Sequence, residues 1–465
     1  MFRYCVLLYA LLFAGSASAQ EPFQFLYKLS FDNSKDQVIA SNLREDGTLI
    51  AVGSASIRHW DLATGKLKLD AQHKFPGAEK WDALISFSPD GRRAILTDSF
   101  SFRLLRREKK VSARVIDLED GSVVKVLERP TESVREAEWS QDGRVMVTYS
   151  GRYNLKRTEV CFWDGQTFEM RVCSLIKGSL GLARLVDNGM HFVYSRQTDT
   201  TCLLCPLIAE TETAVIDTET GRRVHKLVVD GRSPYIWSAG RAIGGDGRYL
   251  AASLGEARVA VWAPMRKGSP IAVIERVGKE RQIEISGYGD DGNVLLLRRG
   301  KSIEARDIES GDVLFNLPLS FGSGRSGHMI TVTSIGDRIV VDNCEEALIF
   351  APPAEKPLFS LNLVCKTELD PISTNYRDFD VLRFDEEQRY LLISSDKQIR
   401  IADGSTGEIL QRLVTPERIK NTEKDPNKDD GLSGASWANG GRYVVGRGGD
   451  GRSFYIWKRS DALGH

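Results

Sequence analysis

Cys202-Leu-Leu-Cys205 is the sharpest short motif in this sequence. Two thiols at that spacing suit a redox dithiol, a small disulfide loop or half of a metal clip. Pro206 follows where covalent haem attachment needs a histidine. A redox dithiol also wants a helix start in a βαβ unit, and the flanking residues read as a loop between strands. A structural disulfide or clip is therefore expected. Ser326-Gly327-His328 brings a hydroxyl near an imidazole, but triad chemistry depends on positions set by a fold rather than on adjacency. Asp425-Pro-Asn427-Lys-Asp429-Asp430-Gly431 alternates oxygen donors in the manner of a calcium loop. Its glycine is misplaced, and Ser436 stands where a bidentate glutamate is required, so a solvated acidic loop is the reading. The 6 histidines form no metal pair two or four residues apart, and His59 reads as a packed strand residue. Nucleophile-elbow, Walker and Rossmann glycine patterns are missing. The sequence thus predicts no catalytic residue, no metal and no cofactor.

Charge narrows the partners. Lys+Arg and Asp+Glu are each 63, giving a formal net charge of zero. Nucleic-acid binding on a wide front needs a basic excess, so nucleic acid is not expected as a partner. Recognition must rest on local patches. Two stand out. Arg103, Arg106, Arg107, Lys109 and Lys110 form one, and Arg152, Lys156 and Arg157 form the other.

The N-terminus reads as a secretory signal over residues 1–19. Arg3 precedes an apolar core, Tyr4 to Ala14, that is too short to span a bilayer, and Ala17-Ser18-Ala19 fits a cleavage site. The expectation is a periplasmic or secreted protein without a transmembrane segment after cleavage. Removing Cys5 leaves an even set: Cys161, Cys173, Cys202, Cys205, Cys344 and Cys365. An even set in an oxidising compartment suggests disulfides. Many connectivities are open, and proximity favours Cys161 with Cys173, Cys202 with Cys205, and Cys344 with Cys365.

The elements that must position these residues show in self-similarity. Asp46-Gly47, Asp90-Gly91, Asp142-Gly143, Asn188-Gly189, Asp246-Gly247, Asp291-Gly292 and Asn439-Gly440 each precede an apolar burst. Such pairs suit tight hairpins that need positive φ. Bursts such as Leu49-Ile50-Ala51-Val52 and Val294-Leu295-Leu296-Leu297 suit strands buried on both faces. A second turn recurs as Asp-x-x-x-Gly, at Asp61, Asp117, Asp217, Asp307 and Asp403, and Asp164-Gly165 is a variant. Each unit therefore reads as a four-stranded antiparallel meander.

With His59-Trp60-Asp61, Phe162-Trp163-Asp164 and the two turn types, the chain resembles WD-repeat proteins over residues 20–465. That resemblance implies an all-β fold, a single β-propeller of four-stranded antiparallel blades. The units start near Val38, Trp81, Arg135, Leu182, Ile236, Gln282, Met329, Asp378 and Leu432, which is nine by count and eight if one is irregular. The last unit lacks a fourth strand, and Phe23 to Lys28 alternates suitably to supply it beside Tyr455-Ile456-Trp457, closing the ring. The Asp-x-x-Thr-Gly strings at Asp61 and Asp217 also resemble part of the tryptophan-docking repeat of quinoprotein dehydrogenases. Leu67-Lys68-Leu69 and Val224-His225-Lys226 stand where its tryptophan belongs.

In a four-stranded blade the first and third turns share one face, while the second turn and the inter-blade connection share the other. The tight turns all fall in the first class. The long segments, Ser99 to Ser112, Ser150 to Thr158, Arg196 to Thr213, Pro318 to His328 and Pro416 to Asp430, all fall in the second. Loops carried on a rigid scaffold are common recognition sites, and both basic clusters belong to them. The sequence therefore points to an exported scaffold that binds a protein, glycan or other ligand through its long-loop face. The alternative is a propeller hydrolase, lactonase or oxidoreductase with a site at the central channel.

Overall fold

The second strand of each unit is apolar at successive positions because both of its faces are covered. In the computed structural model, Thr48–Gly53 and Val145–Tyr149 are buried throughout. The structure describes residues 22–31, 36–54, 56–72, 85–97, 113–128, 136–149, 157–198 and 210–230 and, with short gaps, 243–319, 331–363, 381–418 and 432–460. Among these residues the strands form nine four-stranded antiparallel sheets, the blades of a β-propeller. One 3-10 turn, Asp187–Gly189, is the sole helical element described. No helix among the described residues is long and apolar enough to cross a membrane.

Two compact units divide the chain. Residues 31–364 carry seven blades. Blade 1 contains Val38–Leu43, Thr48–Gly53, Ser56–Asp61 and Leu67–Gln72. Blade 2 contains Ile85–Phe87, Arg93–Thr97, Ala113–Asp117 and Val123–Leu127. Blade 3 contains Glu136–Trp139, Val145–Tyr149, Arg157–Asp164 and Met170–Lys177. Blade 4 contains Ser179–Val186, His191–Thr198, Glu210–Asp217 and Arg223–Leu227. Blade 5 runs from Ile243–Gly244 to Ala272–Glu275, blade 6 from Ile283–Tyr288 to Val313–Pro318, and blade 7 from Thr331–Ile335 to Phe359–Asn362. Residues 1–30 with 365–465 carry the other two. Blade 8 runs from Val381–Phe384 to Ile409–Leu413. Blade 9 contains Leu432–Ala438, Tyr443–Gly448, Ser453–Arg459 and Phe23–Ser30. Eight of the nine expected repeat starts fall within four residues of the start of an observed first strand, and the ninth, Ile236, precedes Ile243 by seven.

Period-two alternation explains the apolar bursts. Met146, Cys161 and Trp163 of blade 3 pack toward blade 2, whereas Val147, Val160 and Phe162 pack toward blade 4. Leu295 and Leu297 of blade 6 face blade 5, and Leu296 faces blade 7. Each such fully buried aliphatic contributes roughly 1.5–3 kcal/mol. Fourth strands have one covered side, so they alternate; Val123 and Val313 stay 49% exposed.

The turns are built by their own side chains. Asp61 Oδ1 accepts from the Ala63 and Thr64 amides and the Thr64 hydroxyl, while the Gly65 amide donates to the Asp61 carbonyl. Asp217, Asp307 and Asp403 repeat this pattern. A β-bulge accompanies each, and the closing glycine sits at positive φ. In blade 3, Phe168 takes that position at φ 60°, meeting Trp139 edge-on and lying under the Arg93 guanidinium. The first turns differ from the expected two-residue hairpin. In the Asp46, Asp90 and Asp142 copies only the glycine has positive φ, because the aspartate stays in the ordinary region and accepts from the amide two residues on.

The third turn is then tied to the first. Leu62 donates its amide to the Gly47 carbonyl, Leu118 to Arg92, Gly165 to Arg144, Thr218 to Met190, Ile308 to Asn293 and Gly404 to Arg389. At Gly165 a Cβ would lie 2.0 Å from the Gly143 oxygen, so no side chain fits.

These turns predict an acid-sensitive fold. Hydrogen bonds from Lys68 and the Thr64 amide lower the Asp61 pKa to about 2, and those from Ser405 and the Thr406 amide lower Asp403 to about 2. A depressed folded-state value stabilises above the unfolded value of about 4 and loses that contribution as pH falls toward 2. The denaturant midpoint should therefore drop between those pH values. Asp61→Asn with Asp403→Asn should flatten that dependence, and an unchanged profile would refute this role.

The N-terminal strand completes blade 9 as expected. Phe25 pairs with Trp457, Tyr27 with Ile456 and Lys28 with Tyr455. Phe23 is fully buried, its amide donates to Gln411 Oε1 (2.9 Å), and its carbonyl accepts from Gln411 Nε2 (2.7 Å). Its ring meets Tyr390 edge-on. Phe23→Ala should cost about 3–5 kcal/mol by the usual cavity penalty, read as a lower denaturant midpoint. Wild-type stability in that variant would contradict this closure.

Candidate functional site

The expected basic residues fall unequally within the structure. Arg103, Arg106, Arg107, Lys109, Lys110, Arg152 and Lys156 lie outside the described residues. So do Cys202, Cys205, Cys344 and Cys365. Arg157 is described. It opens the third strand of blade 3, exposed, where the chain returns from the connection after Tyr149. Directly across from it in the register is Lys177, also exposed, at the end of the fourth strand. Both ends belong to the long-connection face. Like charges placed opposite each other on paired strands repel. Sequence reading missed Lys177 because it weighed loops and not strand ends.

The long-connection face differs from the other in chain length. Connections between Thr97 and Ala113, Tyr149 and Arg157, and Thr198 and Glu210 separate second from third strands. On the opposite face the third turns of blades 1, 2, 3, 4, 6 and 8 keep one five-residue form from Asp to the closing residue, whereas the third connections of blades 5 and 7 are longer.

The short-turn face holds a cleft that the sequence did not reveal. It encloses about 690 Å³ and is lined by Arg44, Asp90, Arg92, Arg93, Asp117, Glu119 and Gln166, from turns of blades 1, 2 and 3. Arg44 Nη1 lies 2.5 Å from Glu119 Oε1, joining blade 1 to blade 2. Burial works against ionisation of Asp90, but the Ser88 hydroxyl, the Arg92 amide and the two arginines outweigh it and hold the carboxyl below its usual range. The lining alternates fixed cations and anions without imidazole, thiol or activated hydroxyl. It suits polar binding.

A third cluster lies inside blade 4. Glu212 is nearly buried and receives the Tyr194 hydroxyl at 2.7 Å, Arg196 Nε at 3.3 Å and Arg223 Nη1 at 3.1 Å. Burial raises its pKa, but the Arg196 and Tyr194 hydrogen bonds prevail and lower it overall. Tyr194 is pushed well above its ordinary range, first by burial and then by Glu212. With every strong donor committed, the cluster reads as structural. It anchors the strands on either side of the connection that holds Cys202 and Cys205. Glu212→Ala strands the buried Arg196 and should cost about 3–5 kcal/mol. A denaturant midpoint matching wild type would remove that role.

Of the expected cysteine pairs, Cys161–Cys173 is formed, with Cα atoms 4.0 Å apart and the residues opposed in register.

No family model matches the chain, and no curated protein sequence matches it. Among solved structures it is similar to one described as dihydro-heme d1 dehydrogenase NirN in complex with DHE, at 15% sequence identity and a TM-score of 0.47. The likeness covers 80% of this chain and 74% of that chain.

Proposed function

We propose that this chain is an exported, WD-repeat-like propeller scaffold that binds an acidic protein or glycan through the long-connection face of blades 2 and 3. The opposed cations Arg157 and Lys177 carry this reading, because they maintain a repulsive pair at an exposed edge. Arg152 and Lys156 immediately precede that edge in sequence, and Arg103, Arg106, Arg107, Lys109 and Lys110 belong to the equivalent connection of blade 2. An acidic partner would relieve the repulsion and gain steering from the whole group. Export rests on the signal-like residues 1–19, and the Cys161–Cys173 disulfide agrees with an oxidising compartment.

Polyglutamate is a suitable probe of an acidic surface. Reversal of Arg152, Lys156, Arg157 and Lys177 to Glu should weaken its binding at least about tenfold and flatten the salt dependence, as loss of steering charges does. Arg144 and Arg222 lie beside the short turns and serve as controls; Arg92 does not, because it lines the cleft. Folding stability should change little in either set, since exposed charges contribute little. Equal loss from both sets, or from neither, would defeat the assignment of the binding face.

A further inference from the structure

The Cys161–Cys173 disulfide lies among further metal-binding atoms. Glu159 is buried on the same side of the third strand of blade 3, and one of its carboxylate oxygens lies within 4.8 Å of both sulfurs. Met170 places its Sδ 3.3 Å from Cys173 Sγ. Strand alternation alone would turn Met170 away, because it stands three residues before Cys173. The bulge between Phe162 and Trp163 removes that mismatch. It sets Met170 opposite Trp163, on the side of Cys161 and Cys173. Three sulfurs and one oxygen therefore converge at the outer edge of the blade.

We propose that this cluster is a binding site for a soft monovalent cation, Cu⁺, which the disulfide masks and a dithiol reductant exposes. Thiolate and thioether donors select Cu⁺ over harder ions, and low coordination by sulfur suits it. The oxidised pair has no thiolate to offer. Cys161 is fully buried while Cys173 is partly exposed, so an incoming thiolate attacks Cys173 Sγ and Cys161 leaves as the thiolate. The second thiol of the reductant then resolves the mixed disulfide. The reductant loses two electrons and two protons and becomes a disulfide, and the protein gains two thiols. Cu⁺ binding displaces both thiol protons without changing the metal's oxidation state. Met170 supplies the third sulfur, and the Glu159 carboxylate closes the buried side. Its 44% exposure lets Met170 move onto the ion without repacking the layer toward blade 2.

The test uses the full chain. Free thiols are alkylated first, the protein is reduced with dithiothreitol and desalted without oxygen, and Cu⁺ is titrated against bicinchoninate. Cys161→Ser with Cys173→Ser, treated identically, corrects for the other cysteines. Reduced wild type should hold one equivalent more than this double variant. Met170→Leu should retain that equivalent but bind it about tenfold more weakly, as expected when a supporting ligand is lost. Unreduced wild type should match the unreduced double variant. Equal uptake by reduced wild type and the double variant would overturn the proposal. So would full uptake without reduction, or loss of the β-sheet circular-dichroism signal on reduction, since the site requires paired strands.

Discussion

The backbone hydrogen bond from the third turn of a blade to its first turn, made in six of the nine blades among the described residues, is the constraint on which this structure depends. The amide after the turn aspartate points back across the blade edge and finds the carbonyl of the preceding hairpin, as Leu62 finds Gly47 and Ile308 finds Asn293. The second and third strands are covered on both faces, so their backbone polar groups must be paired within the sheet up to its rim. Without this bond the rim would leave an amide and a carbonyl unpaired beside a dry layer. The aspartate side chain fixes the turn so that the amide points the right way. Leu62, Leu118 and Thr218, which carry that amide, then bury their side chains beneath it. Gly165 and Gly404 reach the same bond by another route, with the backbone so close that no Cβ is tolerated.

This dependence explains what the sequence revealed. Asp-x-x-x-Gly is a local device, made by residues within one short segment, and local devices leave their signature in local sequence. Nine repeats could therefore be counted, and the N-terminal strand could be assigned to the last blade from its alternation. The turn type was less legible, because Asp-Gly fits both a two-residue hairpin and a bulged turn whose aspartate caps an amide. Phe168 and Gln388 hid two of the glycine positions, since each occupies positive φ without being glycine. At Phe168 the strain, on the order of 1 kcal/mol, is offset by contacts with Trp139 and Arg93 from two other hairpins.

Site residues were legible only where sequence neighbours become spatial neighbours. Cys161 and Cys173 flank one hairpin, and the register sets them opposite each other. The cleft lined by Arg44, Arg92, Glu119 and Gln166 draws on turns of three blades, each unremarkable in its own repeat. Glu212 has the same history. Tyr194 and Arg196 come from one strand and Arg223 from another, and nothing in the linear order says that one carboxylate on the strand between them collects all three. Met170 is subtler still, since its side of the strand is decided by a bulge that plain alternation does not predict.

The two faces of a blade carry different physical obligations. Where the bond between turns is made on the short-turn face, it fixes chain length, and an inserted residue would break the aspartate cap or misplace the donor. Recognition there is confined to side chains projecting from fixed turns, as in the mixed-charge cleft. On the other face such bonds are made at short second turns, where the Ser54 amide donates to Gln37 and the Leu319 amide to Lys301; where the second turn is long, length can vary at little cost to the sheet, because closure entropy grows only slowly with loop length. The strand ends that enter this face, Arg157 and Lys177 among them, are nevertheless positioned by the full register of the blade. A long connection anchored on such ends combines variable sequence with fixed placement, which is the combination that a binding surface requires.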